Sequence, residues 1–209
     1  MSFSFYRVDT GYCDFLRKQD PCVPHNMESK AIRPFIGIVF SINGFNYYAP
    51  LTSPKPKHLQ MKNQADFFKI NGGVWGAINF NNMIPVHNNS LQKVDIENLP
   101  LDTKSNIDYK NLLTNQLTWC NANQSTILRQ AEKLYVIVSR GRAWPQLAAR
   151  CCNFPIDEQQ YLVYCQKHGF LESEKPRSIK DRMAAAKGEA NRRNGEKPPA
   201  PPKPKDQER

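Results

Sequence analysis

An α+β fold, with an antiparallel sheet covered by helices, is what this sequence predicts, and three observations predict it. Short β-rich runs separated by Asn/Gly turns occupy the chain up to Pro100. Helical periodicity replaces them between Ile107 and Lys167. From Glu172 onwards apolar residues almost vanish and prolines gather, so the folded domain is expected to span residues 1–171, with 172–209 a charged, Pro-rich flexible tail. No internal repeat is visible.

Residues 3–8 alternate well enough for a strand. Asp9-Thr10 can cap a helix running to about Lys18, on which Tyr12, Phe15 and Leu16 share a face. Residues 34–42 read as a buried strand, Asn43-Gly44 as a tight hairpin turn, and 45–51 as the return strand. Pro54 and Pro56 forbid continuing that strand as a central one. Shorter β segments are expected at 67–70, 74–80 and 83–86. A first long helix is expected from Ile107 to about Asn121, with Leu113, Gln116, Leu117 and Cys120 at helical spacing. A second, from Ser125 to about Arg140, has Ile127, Ala131, Leu134 and Tyr135 on its apolar face and stops at Gly141. A third spans residues 156–167 and ends at Gly169. In the tail, 178–193 has the composition of a charged helix, while 198–204 excludes one.

The formal net charge is +10, and its placement says more than its size. Residues 29–94 carry seven basic side chains and one acid, Asp66, while the rest of the body is neutral. A surplus confined to one stretch fits a polyanion-binding face, or a solvated face without a partner. No apolar run approaches the roughly 20 residues that a membrane helix needs, and the opening residues lack a signal-peptide layout. A cytoplasmic protein without a membrane partner is therefore expected, its six cysteines reduced. None of them forms a CxxC pair, so buried thiols are expected and neither a metal site nor a cofactor is.

P-loop, GxGxxG, GxSxG and HExxH motifs are absent, which removes nucleotide-phosphate, dinucleotide, serine-hydrolase and zinc-protease chemistry. With Asp66 as its one acid, the basic segment is a poor cage for a carboxylate-held Mg²⁺. What remains is the run Ala49-Pro50-Leu51-Thr52-Ser53-Pro54-Lys55-Pro56-Lys57-His58. It gathers hydroxyls, ammonium groups and an imidazole where a buried strand ends. Metal-free phosphodiester cleavage needs a base for the 2′-OH, cations on the phosphorane and an acid for the leaving oxygen, and these groups can supply such roles. The competing account is a Pro-rich turn whose hydroxyls bond locally. Arg140, Arg142 and Arg150 flank Trp144, a mixture suited either to stacking on unpaired bases or to a helix end beside a core tryptophan.

Several blocks in the right order are similar to the ToxN/AbiQ family of endoribonuclease toxins from type III toxin–antitoxin systems, from about Tyr12 to Tyr161. The opening pattern is Tyr12, Phe15, Leu16, Asp20, Val23 and Pro24. The most specific block runs from Pro34-Phe35-Ile36-Gly37 through Tyr48-Ala49-Pro50-Leu51-Thr52-Ser53-Pro54-Lys55 to His58. Asn79 with Met83-Ile84-Pro85-Val86, and Cys152-Asn153-Phe154, make two further blocks. The tail lies outside the resemblance.

The resemblance implies a strongly twisted, barrel-like antiparallel sheet surrounded by helices. It implies a metal-independent, sequence-specific RNA endonuclease leaving 2′,3′-cyclic phosphate and 5′-hydroxyl ends on cellular or phage RNA, and a part in abortive phage defence. It also implies a small, repeated, pseudoknotted antitoxin RNA that the toxin processes and that inhibits it in a closed protein–RNA assembly. By position it assigns Thr52, Ser53 and Lys55 to the site, with Arg33 where relatives often carry Lys. Arg keeps the charge and is a poor base. Some relatives carry Tyr near position 29, where this chain has Ser29, so no role transfers there. His58 is a reserve acid or base, and Lys30, Lys57, Lys62, Arg140, Arg142, Trp144 and Arg150 are expected to follow the RNA. The rival functions are a non-catalytic RNA-binding protein and a DNA-binding repressor, the latter without helix-turn-helix spacing to support it.

Overall fold

The computed structural model describes residues 2–25 and 34–170. The positions of Lys30 and Arg33, and the tail with its expected helix, lie outside them. The described elements are, in chain order, β1 (Ser4–Val8), α1 (Thr10–Arg17), β2 (Phe35–Ile42), β3 (Phe45–Thr52), α2 (Pro56–Gln60), β4 (Phe67–Lys69), β5 (Ala77–Asn79), β6 (Ile84–Pro85), β7 (Leu91–Lys93), α3 (Lys104–Ala122), α4 (Gln124–Ser139), α5 (Pro145–Ala148) and α6 (Phe154–Lys167). Strands come first and helices after, as the α+β expectation has it. No described helix is long and apolar enough to cross a membrane.

The strands form one seven-stranded antiparallel sheet in the order β4-β5-β3-β2-β1-β7, with β6 also on β3. Among the described residues the path runs from β4 to β7 without closing. β3 organises it: β2 pairs along Phe45–Pro50 on one edge, and on the other β6 pairs at Tyr47–Tyr48 and β5 at Leu51–Thr52. The β2–β3 turn has Asn43 at φ 50° and Gly44 at φ 84°, the left-handed pair that a two-residue hairpin with native twist requires. A bulge between Gly37 and Phe40 bends β2. There the Tyr48 ring lies over Gly37, where a Cβ would meet it at 1.9 Å.

Helices cover the sheet by burying their apolar stripes. α1 starts where the Asp9 carboxylate accepts from the Tyr12 N–H (2.7 Å) and packs on α6, with Tyr12 edge-on to Tyr164. The Tyr12 hydroxyl donates to the Pro85 carbonyl, fastening α1 to β6. α4 lays Ile127, Ala131 and Leu134 against the core, with β2 as its sheet contact. α3 is tied to the residue before β1 by the Phe3 N–H donating to Asn121 Oδ1 (2.7 Å). Phe40, Tyr47, Tyr135 and Phe154 form one aromatic cluster, and both tyrosines donate to Glu158 Oε1. Gly141 (φ 64°) and Gly169 (φ 67°) stand just past the helix ends where the sequence places stops.

Three departures from expectation have physical causes. α2 forms within the run that reads as a Pro-rich turn, because Pro56 stands at a helix start, where its missing N–H costs nothing. Pro145 opens α5 in the same way. β5 covers only Ala77–Asn79 of the expected 74–80, because residues 70–76 fold into a tight turn instead.

Candidate active site

The site is built where β3 ends. Thr52 is the last residue of β3, half-buried, and pairs with Ala77 of β5. On the other side, the Leu51 N–H donates to the Pro34 carbonyl (2.9 Å), so the chain enters β2 beside Thr52. Ser53, Pro54 and Lys55 are exposed. Lys55 is extended (φ −140°, ψ 144°) and caps α2, its carbonyl accepting from the His58 N–H at 2.9 Å. The two prolines leave this loop few alternatives, so its hydroxyls and ammonium group reach a ligand with little entropy left to lose.

Under the loop lies a floor that sequence reading missed. Residues 70–76 close on themselves, with the Ile70 N–H donating to the Gly76 carbonyl (3.0 Å) and the Gly76 N–H to that of Gly73 (3.1 Å). Gly76 has φ +89°, and a Cβ there would stand 2.0 Å from the Thr52 carbonyl oxygen and 3.1 Å from the Ser53 carbonyl carbon. Gly73 approaches the His58 carbonyl oxygen, with a notional Cβ at 2.6 Å. The buried Gln116 of α3 donates through Nε2 to the Trp75 carbonyl (2.6 Å) and holds the turn from behind. Backbone therefore touches backbone, and glycine is the only residue that permits it. A glycine cluster at 72, 73 and 76 was the available signal.

Gly76→Ala is accordingly expected to lower the cleavage rate at saturating RNA and to destabilise the fold by about 1–3 kcal/mol, through left-handed strain and the clash. Gly72→Ala is the control: it shares a positive φ (+65°) but has nothing within 4 Å. Denaturant melts and single-turnover cleavage of both variants decide it. Equal cleavage by the two would show that the 70–76 turn does not support the loop.

His58 is placed differently from the other candidates. It is 2% exposed, its ring packs on Phe67 with centroids 5.4 Å apart, and its Nδ1 has no hydrogen-bond partner. Burial, then the charges of Lys55 and Lys57, push its pKa below the usual 6.5. This is a neutral ring under the loop, withdrawn from any phosphate on its surface. The sign of its pH effect follows: between the unfolded value of 6.5 and the lower folded one, the unfolded chain binds the proton first, so acidification costs stability. His58→Phe is expected to flatten the fall in melting temperature between pH 7.5 and 5.5. Parallel curves for the two proteins would remove His58 from the acid sensitivity.

The basic segment presents a cationic surface for a specific reason. Its single acid, Asp66, is 4% exposed and held by Arg150 through Nε (2.6 Å) and Nη2 (2.9 Å). Lys55, Lys57 and Lys62 are all exposed. The Arg150 guanidinium also donates to the Gln64 side chain (3.1 Å), so its bonds to Asp66 and Gln64 orient it. Together with Gln130 Nε2, which donates to the carbonyls of Gln64 and Ala65, it staples the loop after α2 to the helical side. Trp144 is 49% exposed, shortly after the exposed Arg140 and Arg142, so it is not a core tryptophan.

Comparisons with known proteins identify the family. Residues 4–162 match the family model of toxin ToxN of type III toxin–antitoxin systems. The endoribonuclease ToxN of Bacillus thuringiensis subsp. kurstaki is 31% identical over 179 residues, which is 84% of this chain and 91% of that protein. A solved structure showing that a processed non-coding RNA regulates a bacterial antiviral system superposes with a TM-score of 0.65 at 31% identity, covering 76% of this chain and 97% of its own. Another, on selective toxin inhibition by a non-coding RNA pseudoknot, gives a TM-score of 0.65 at 28% identity, covering 78% and 98%. With its family match spanning the sheet, the loop after β3 and the helices, the chain belongs to the ToxN toxin family of type III toxin–antitoxin systems.

Proposed function

We propose that the protein is a cytoplasmic bacterial endoribonuclease toxin that cleaves RNA without a metal ion and is restrained by a small, repeated antitoxin RNA. The observation that carries this is the loop from the half-buried Thr52 through the exposed Ser53, Pro54 and Lys55, seated on backbone in a lysine-rich segment whose one acid, Asp66, is buried and ion-paired. Such a surface attracts RNA, and the one carboxylate of segment 29–94 that could hold Mg²⁺ is committed to Arg150. In the reaction the 2′-OH oxygen attacks the adjacent phosphorus while its proton leaves to a base. The P–O5′ bond breaks, O5′ takes a proton, and the products are a 2′,3′-cyclic phosphate and a 5′-hydroxyl. Lys55 stabilises the phosphorane or protonates O5′, and the hydroxyls of Ser53 and Thr52 orient the phosphate or relay a proton. Arg33, next in sequence to Pro34, clamps the phosphate. Lys30, Lys57 and Lys62 follow the backbone, and Arg140, Arg142 and Trp144 receive unpaired bases. His58 holds the loop from beneath.

The deciding experiment incubates the full chain with RNA, both with and without excess EDTA, and determines the product ends. Cyclic-phosphate and 5′-hydroxyl ends are expected, and binding without cleavage would leave an RNA-binding protein instead. Tandem short repeats followed by a terminator in the DNA upstream of the gene are the sign of the antitoxin, with phage defence by abortive infection as the setting. Deleting residues 172–209 is expected to spare cleavage and to remove only non-specific RNA affinity that weakens with salt. A truncated chain that binds RNA and no longer cuts it would assign the tail to the active site.

A further inference from the structure

We propose that Asp20, Cys152 and Asp157 bind one structural zinc ion, with Cys22 closing the tetrahedron. One ligand atom from each of the first three lies within 4.8 Å of the others, and all three side chains are buried. Sequence reading saw no such site, since the residues come from the turn after α1 and from the start of α6. The loop after β3 contributes none of them, so the proposal stands apart from the ribonuclease assignment.

The sharpest observation is Asp157. It is 0% exposed, and neither carboxylate oxygen has a hydrogen-bond partner. A buried carboxylate in that condition is costly, and native interiors resolve such groups with a partner. Neither Asp20 nor Asp157 has an ion-pair partner among the described residues, whose ion pairs are His25–Asp14 and Arg150–Asp66. The neighbouring Glu158 cannot help, being an acceptor already engaged by the hydroxyls of Tyr47 and Tyr135.

Asp20, by contrast, is already oriented. Its Oδ1 accepts from the Cys22 N–H (2.9 Å) and its Oδ2 from the Asn153 N–H (2.6 Å), which fixes the carboxylate and leaves a lone pair on each oxygen. Asn153 caps α6, a helix of 14 residues, and Asp157 lies in its first turn. The surplus negative charge of the ligand set thus sits at the helix end that favours it. Cys22 is half-buried, and its thiol now reaches the Ala149 carbonyl at 3.7 Å. Turning it inward supplies the fourth ligand and marks the entry path.

The donor set selects the ion. Two carboxylates with two thiolates suit zinc, whereas Mg²⁺ and Ca²⁺ take all-oxygen cages. Zinc bonds of about 2.0–2.3 Å ask the ligand atoms to draw together by about 1 Å, within the reach of side-chain rotation.

The test uses the full chain purified without chelator. About one zinc per chain is expected by elemental analysis. Removing it should lower the melting temperature, and Zn²⁺ but not Mg²⁺ should restore it. Co²⁺ should give a thiolate-to-metal charge-transfer band in the near ultraviolet, weakened in Cys152→Ser, which leaves one thiolate, and Asp157→Asn should weaken Zn²⁺ affinity by more than about tenfold. Should either variant fail to fold, the cobalt band and the zinc-dependent melting of the unaltered chain still decide the matter. A chain without zinc, showing no cobalt band at saturating Co²⁺ and a melting temperature indifferent to chelator, would overturn the proposal and leave a buried water or a shared proton at Asp157. Zinc retained unchanged in both variants would overturn it as well.

Discussion

Ser53→Ala is expected to lower single-turnover cleavage by about 10²–10³-fold and to abolish growth inhibition, while melting temperature and RNA affinity stay near their original values. The magnitude is what the loss of one preorganised contact to a developing oxyanion costs. The selectivity comes from the geometry. Ser53 is exposed and, among the described residues, its hydroxyl makes no bond that folding depends on. Thr52, half-buried at the end of β3, offers the neighbouring hydroxyl. Its removal as Thr52→Val should cost less if Ser53 makes the closer contact to the scissile phosphate. Soluble Ser53→Ala protein that still arrests growth would take Ser53 out of the chemistry. Cleavage at saturating RNA and affinity must be measured separately, because a phosphate-gripping hydroxyl would lower affinity and leave the saturated rate alone.

Much of this arrangement was legible in the residues, and the parts that were not share a cause. Asn43-Gly44 specified its hairpin because few residue pairs adopt two left-handed conformations in succession. The helices over 104–139 and 154–167 declared themselves by apolar spacing. β7 did not, because Leu91-Gln92-Lys93 carries no alternating pattern and pairs with β1, more than 80 residues earlier, at the sheet edge. The motif at 52–55 marks the candidate loop, but the floor beneath that loop is made by backbone at Gly73 and Gly76 and by Gln116 on a distant helix. Spacing placed Gln116 on the apolar face of its helix without saying which carbonyl it meets. In the same way, Asp66 and Arg150, far apart in the chain, are joined only by the fold. Asp20, Cys152 and Asp157 had nothing in sequence to join them. Local chemistry is written locally, whereas pairing between remote segments emerges only with the sheet order.

Lys55 is the position where catalysis and binding separate most clearly. If its ammonium only grips phosphate, Lys55→Ala should weaken affinity and flatten its salt dependence, with the rate at saturating RNA retained. If it meets charge that develops in the transition state, the saturated single-turnover rate should fall by about 10²-fold or more. The structure favours the second outcome. Lys55 is exposed, two residues beyond Ser53, and extended backbone between two prolines fixes the direction of its stem. Its side chain makes no cap to α2 that would hold it elsewhere. Lys57 and Lys62, exposed nearby without that restraint, are the internal comparison: their alanine variants should lose affinity and salt dependence while keeping the saturated rate. Arg33→Lys should keep most activity, since a phosphate clamp needs charge more than a removable proton. Cleavage rate against RNA concentration for all four variants, with salt varied in the binding arm, distinguishes the roles. A full saturated rate in Lys55→Ala would move Lys55 into the company of Lys57 and Lys62, and leave Ser53, Thr52 and Arg33 to account for the reaction.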